Sequence, residues 1–268
     1  MRRKRLKVKV SHEVPFCLLE DSLKFNNYQY ALPHLLEENE EYRNHFLKCK
    51  EDGVEIYLDN SLHELGYAMD NDILLKWVNV LEPSNFFIPD VWEDWRGSLK
   101  NAQEWANIEV PKNTTKVAVV QAYNYTQASH LVLDYQELGY KKVAFSYGAS
   151  YYNNLCPHPN KDFGKAMGRF TVISKMEEDG VLNRHTMVHL LGTAWPAEFG
   201  MYSDFDFIES LDTSNPVMAA IDNLEYGDLG LDYKPTANMN NFQDAKRYTI
   251  YDDVLKHNVW KFREINGL

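Results

Sequence analysis

Phe205-Asp206-Phe207-Ile208-Glu209-Ser210-Leu211-Asp212-Thr213-Ser214-Asn215-Pro216 is the stretch on which the reading of the chain turns. The apolar run from Phe205 to Leu211 reads as a buried strand. Asp212 follows at once. Pro216 suits the first turn of a helix, with Thr213 or Ser214 as its N-cap. Asp212 therefore sits at the carboxyl end of a strand, just before a helix. In α/β folds reacting groups collect at that edge. Capping the next helix is the plain alternative for this aspartate. A chemical role depends on whether other strands deliver matching groups to the same edge.

Working outward, apolar runs predict strands that begin near residues 7, 16, 54, 86, 116, 142, 186 and 206. The second of these is Phe16–Leu19. Helical patterns cover Tyr28–Lys50, Asp70–Val80, Trp92–Ala106, Thr126–Leu138, Lys165–Glu178 and Pro216–Asn223. Gly53, Gly139 and Gly180 stand where helices stop. Ser150–Phe163 reads as a long loop, and Ala197–Tyr202 as a short helix. From the third strand onward, strands and helices alternate, which favours a parallel sheet. Eight strands in 268 residues favour a closed α/β barrel of the (β/α)8 TIM type over an open sheet. The first two strands are only about five residues apart, too few for a parallel crossover, so one of them is a candidate capping strand. The barrel is expected over residues 1–225. Residues 226–268 form a C-terminal helical extension packed on it, with a terminal helix over Tyr248–Val259 placed to close the barrel base.

Composition narrows the function classes. The chain is 44% hydrophobic and 25% charged, as soluble globular proteins are. Its many aromatic residues suit a large core or a pocket for a flat ligand. A net charge of −11 argues against broad coating of nucleic acid. The basic start, Arg2, Arg3, Lys4, Arg5, Lys7 and Lys9, is either a phosphate contact or a solvated tail. Three scattered cysteines, Cys17, Cys49 and Cys156, form no C-x-x-C pair, and no signal peptide is visible. A reducing, cytoplasmic setting is expected. No apolar run approaches the roughly 18 residues that span a membrane, so no membrane partner is expected.

The strand ends deliver Asp59, Asp90, Gln121, Ser146 with Gly148, Gly192 and Asp212. In a parallel barrel all of them face one bowl. Clustered carboxylates suggest acid–base and nucleophilic work at an electrophilic carbon. Magnesium binding, as in a metal-dependent hydrolase, is the competing use of such a cluster. G-x-x-x-x-G-K, G-x-G-x-x-G and G-x-S-x-G are all missing, which leaves phosphoryl transfer, dinucleotide binding and serine hydrolysis without support. His189 lies inside its strand and reads as a packed residue rather than a ligand.

Taken in order, these segments resemble the tRNA-guanine transglycosylase superfamily, including its phage DNA branch that inserts 7-deazaguanines. Leu58-Asp59-Asn60-Ser61 is similar to the family's strand-end Asp-Ser-Gly segment, Ile88-Pro89-Asp90 to the segment whose Asp reads the guanine edge, and Val119-Val120-Gln121 to Val-Gln-Gly-Gly. Val143 to Gly148 stands at the Gly-Gly loop that donates a backbone N–H. His189-Leu190-Leu191-Gly192 with Pro196 stands at the leucine-rich strand, and Asp212 at the nucleophile. The departures are Asn60-Ser61-Leu62 for the small Ser-Gly-Gly, and Ala122-Tyr123 for the two glycines. The family's C-terminal Cys₃His zinc site is missing too, since no cysteine follows Cys156.

The resemblance implies a zinc-free barrel that needs no cofactor and exchanges guanine for a 7-deazaguanine of the 7-cyano or 7-aminomethyl type. DNA is the favoured polymer and tRNA the alternative. Asp212 would be the nucleophile and Asp59 the proton relay. Asp90, Gln121, Ser61, Gly192 and the Ser146-Tyr147-Gly148 turn would hold the base, with Tyr147 or Tyr123 stacking on it. Lys161, Lys165 or Arg169 would supply charge along the strand path. A barrel that binds a purine or nucleic acid without turnover is the alternative from another class.

Overall fold

A computed structural model describes residues 8–233, 235 and 242–268. Eight strands form one all-parallel sheet: β1 (Lys9–Ser11), β2 (Gln29–Ala31), β3 (Ile56–Leu58), β4 (Asn85–Phe87), β5 (Thr115–Val119), β6 (Lys142–Ser146), β7 (Met187–Leu191) and β8 (Ile208–Asp212). Their order around the sheet is β1-β8-β7-β6-β5-β4-β3-β2, every pair parallel. The ring comes close to shutting between β1 and β2. There Asn27 stands in for a ladder rung: its N–H donates to Val10 O at 2.8 Å, and its Oδ1 accepts from Val10 N at 3.0 Å. Asn26 makes the same two-way bond with the His12 backbone. The chain is thus a single (β/α)8 barrel with a C-terminal helix.

The second strand is not where the apolar runs put it. Phe16–Leu18 is a 3₁₀ turn that runs into α1 (Leu19–Ser22), and β2 lies in what reads as the start of a long helix. A short apolar run cannot by itself distinguish helix from strand. The deciding signal is Pro33, which takes the first turn of α2 (Pro33–Glu38) and leaves the alternating Tyr28-Gln29-Tyr30-Ala31 extended. The shift also gives the β1-to-β2 crossover enough chain. α3 (Glu40–Glu51) follows, capped by Asn39 Oδ1 on Tyr42 N.

Between the later strands lie α4 (Leu62–Leu65), α5 (Asn71–Leu81), α6 (Trp95–Ala106), α7 (Tyr125–Glu137), α8 (Tyr151–Leu155) and α9 (Lys161–Glu178), and α10 (Asn215–Ile221) follows β8. The segment expected as a long loop therefore holds a short helix and the start of α9. The 18-residue α9 is the longest helix described. No helix among the described residues is long and apolar enough to cross a membrane. Gly168 lets α9 approach α8, since a Cβ there would lie 2.3 Å from the Tyr152 carbonyl oxygen.

α11 (Asp252–Asn266) lies against the flank of the barrel rather than across its base. Asn258 bonds the backbone of Tyr226, Leu224 and Pro216. Phe262 meets the His12 ring edge-on, and Arg263 donates to Phe25 O beside the β1–β2 seam.

The barrel interior is unusually polar for a core. His189 of β7 contacts the rings of Tyr30, Tyr57 and Phe87 from β2, β3 and β4, which is possible only inside the barrel. Lys142, from the first position of β6, is buried there too.

Candidate active site

Each acidic strand end has its own holding arrangement. Asp59 continues the β3 ladder by donating its N–H to Ala31 O. Its Oδ1 accepts from the Tyr30 hydroxyl at 2.9 Å and its Oδ2 from Ser61 N at 3.0 Å. Ser61 reaches back only because it adopts a left-handed conformation, φ +61°. Its own hydroxyl pairs with His34 Nδ1 at 2.8 Å, and Ser61 is buried beneath the cavity. Expected as a base contact, Ser61 instead orients Asp59.

Asp90 follows β4 and is buried. Its Oδ1 accepts from Asn60 Nδ2 and its Oδ2 from Gln121 Nε2, both at 2.6 Å. Gln121 is held in turn by Glu93 N, which donates to Oε1 at 2.9 Å. Asn60 also bonds Ile88 O and Leu62 N. Asn60 is thus the clamp that joins the β3 and β4 loops, a role its sequence position did not disclose.

Asp212 ends β8. Its Oδ1 lies 2.8 Å from His189 Nε2, so His189 is packed and bonded to the carboxylate at once. The Gly192 amide also reaches Asp212. Gly192 sits at φ +59°, and a Cβ there would lie 2.6 Å from the Tyr147 ring, so both conformation and space call for glycine. Behind this turn Arg169 donates to the carbonyls of Phe145, Leu191 and Gly192. It pairs with Glu198 at 2.6 Å, with both side chains fully buried. Thr193 and Tyr202 donate to the same carboxylate. Arg169, expected on a strand path, is therefore a scaffold residue without access to a phosphate.

One cavity at the carboxyl ends of the strands is lined by Asp59, Asp90, Gln121, Ser146, Tyr147, Gly192 and Asp212 together. Glu13, Tyr30, Asn60, His63, Glu64, Trp92 and Asn215 are also on its wall. Gly148 lies behind it, where a Cβ would meet Trp92 at 2.6 Å. The backbone donors expected in this turn are used internally: Tyr147 N–H donates to Leu191 O, and Gly148 N–H to Ser146 Oγ. Tyr123 is exposed and not part of the wall, whose aromatic residues include Tyr147, Trp92 and Tyr30. Lys165 Nζ lies over the Tyr147 ring, 5.7 Å from its centre. Lys9 is tied to Glu55, and the rest of the basic start, Arg2 to Lys7, lies outside the described residues.

Burial dominates the electrostatics. It raises Asp59 to about 6, against the bonds from Tyr30 and Ser61 and with help from the nearby Asp212 charge. Burial raises Asp90 to about 7 despite the Gln121 and Asn60 donors. Asp212 is raised to about 7 for the same reason, against the Gly192 amide and the Arg169 charge. Three carboxyls that titrate near neutrality at one cavity suit proton transfer and nucleophilic attack. Among the described residues, no group of three or more His, Cys, Asp or Glu is arranged to hold a metal ion. Compared with family models and with curated proteins, the chain matches none.

Proposed function

We propose that the protein is a base-exchange transglycosylase that replaces guanine in a polynucleotide, DNA before tRNA, with a 7-deazaguanine. The observation that carries this reading is the grouping of Asp59, Asp90, Gln121 and Asp212, from four strand ends, on the wall of one cavity with Tyr147 and Trp92. Asp212 attacks the anomeric carbon, the glycosidic bond breaks, and guanine leaves with the bonding pair. Asp59 donates the proton that neutralises it. A sugar ester of Asp212 remains. The incoming base then attacks the same carbon, Asp59 takes up the proton it loses, and the carboxylate of Asp212 is released. Two inversions retain the configuration, as in retaining glycosidases. Asp90 and Gln121 present an acceptor and an amide side by side, which suits the N1, 2-amino and O6 edge of a guanine. In a duplex the target nucleotide must first leave the stack. The wall also holds Glu13, so phosphates would run past Lys165 rather than over the carboxylates.

A second reading, purine binding without turnover, is favoured by one observation. Asp90 is already satisfied by Asn60 and Gln121, so the proposed base-reading edge is closed on itself. Incubation with radiolabelled guanine and either guanine-containing DNA or tRNA separates these readings. Label entering DNA supports the proposal, and label entering tRNA alone moves it to the other polymer. Saturable guanine binding with no label in either polymer favours the binding barrel.

A further inference from the structure

Below Asp212 a line of buried polar side chains runs down the barrel to the opposite end of the sheet. His189 Nε2 is 2.8 Å from Asp212 Oδ1, and His189 Nδ1 is 2.8 Å from Ser210 Oγ. Lys142 Nζ is 2.9 Å from Ser210 Oγ, 3.2 Å from the Tyr57 hydroxyl and 3.0 Å from Glu209 Oε2. We propose that Lys142, acting through Ser210 and His189, is a positioning device that sets the orientation of the Asp212 carboxylate. For the step it serves, this rests on the transglycosylase reading. The direction of its hydrogen bonds follows from the contacts together with a charged Lys142 and a neutral His189, whatever the reaction.

An ammonium donates and cannot accept. The three protons of Lys142 match its three neighbours, so the oxygen of Ser210 accepts from it. The Tyr57 hydroxyl also bonds Ser210, but its oxygen already accepts from Lys142 and its own proton is free to point at Ser210, which leaves His189 Nδ1 as the acceptor for the single Ser210 hydroxyl proton. A neutral imidazole carries one proton, which must be on Nε2 and point at Asp212. Each bond is thus donated the same way, from ammonium to carboxylate. Burial keeps the ring neutral by holding its pKa well below the usual range. Packing blocks a ring flip, since Phe87 stands edge-on at 5.0 Å and Tyr57 and Tyr30 close the other sides.

Two consequences reach the chemistry. Asp212 Oδ1 is tied down, so the attacking atom is Oδ2. Once Oδ2 is bonded to the sugar, Oδ1 becomes the ester carbonyl and still accepts from Nε2–H. When the incoming base displaces the ester, the C–O pair returns to the carboxylate, and the same N–H stabilises that charge. No proton moves along the line. Burial lowers Lys142 to about 8, while Glu209 and Glu55 favour its charged form and Lys9 opposes it. The donation chain is complete at neutral pH and lost as Lys142 deprotonates.

The test is the tautomer of His189, read by nitrogen-15 NMR on histidine-labelled protein, with guanine exchange measured alongside. Wild type at pH 7 should show a fixed Nε2–H tautomer. Lys142→Met and Ser210→Ala should give a tautomer mixture and lower kcat about 10- to 100-fold with little change in KM. Ser210→Thr, which keeps the hydroxyl, should restore both. Ser210→Ala is the milder variant if loss of the buried charge prevents folding. A wild-type His189 protonated on Nδ1, or a tautomer unchanged by Ser210→Ala, would overturn the proposal. The expected tautomer pattern without any guanine exchange would uphold the relay and remove the transglycosylase reading.

Discussion

Gln121 Nε2 donates to Asp90 Oδ2 at 2.6 Å, so the two groups proposed to read the base edge are bonded to each other. A purine must exchange that bond for its own. The Asn60 bond on Oδ1 holds the Asp90 carboxylate in place while this happens.

Asp90→Ala should therefore act on recognition. It removes the acceptor, leaves the Gln121 amide without its Asp90 partner and leaves the Asn60 amide with Ile88 O alone. Guanine affinity should fall by roughly 10- to 100-fold, the loss expected for a buried charged hydrogen bond. The rate of sugar-ester hydrolysis in the absence of added base should stay within about threefold. Equal loss in both would show that Asp90 takes part in the chemistry.

Asp59 and Asp212 line one cavity, and burial raises them to about 6 and about 7. Glycosidic cleavage needs one ionised and one protonated member. The nucleophile Asp212 has the higher value and the acid Asp59 the lower, so the working state is the minor singly protonated form, lost to full protonation below about 6 and to full ionisation above about 7. Exchange against pH should trace a bell with its maximum between about 6 and 7. Asp59→Asn should lower the rate and abolish the alkaline limb. A flat profile from pH 5 to 9 would contradict the pairing.

Stability should depend on pH in the opposite sense from ordinary salt-bridged carboxylates. Asp212 titrates at about 7 when folded, against about 3.9 unfolded. The folded protein keeps a proton that the unfolded chain releases above about pH 4, so stability falls as pH rises from about 4 to 7. Asn at this position cannot titrate, and its amide oxygen still accepts from His189. In urea unfolding, Asp212→Asn should match wild type near pH 4.5 and exceed it by roughly 2–4 kcal/mol at pH 8. An equal difference at both pH values would mean that the carboxyl is not held protonated by burial.

Gly192→Ala should disturb both fold and site. The φ of +59° and the 2.6 Å approach to Tyr147 leave no room for a methyl group without movement of the ring. A loss of about 1–3 kcal/mol is expected from unfolding curves, together with a lower exchange rate as the amide shifts from Asp212. Wild-type stability would show that the turn is not constrained as described.

The barrel was legible because each strand end carries its own punctuation. Leu58-Asp59, Pro89-Asp90, Gln121 and Asp212 all follow apolar runs, and glycines close several helices. Asp59, Asp90, Gln121 and Asp212 were readable as a set for that reason, and the cavity collects them. The strand Gln29–Ala31 was hidden because its short alternation abuts the helix that starts at Pro33. Ser61, Gly148 and Arg169 were misplaced because chain position does not say whether a group faces the cavity or the scaffold behind it. The interior line was missed for another reason. Its partners are distant in sequence, Lys142 and Ser210 by 68 residues and His189 and Asp212 by 23. The available signal was a polar residue at the inward-facing phase of an apolar strand, repeated at Lys142, His189 and Ser210.

Covalent capture at Asp212 tests the central claim most directly. The protein is mixed with guanine-containing DNA or tRNA, quenched in acid and digested, and its peptides are read by mass spectrometry. The account predicts a nucleotide ester on the peptide that contains Asp212, discharged by added 7-deazaguanine and not formed by Asp212→Ala. An adduct on Asp59, or guanine exchange at the wild-type rate in Asp212→Ala, would contradict it.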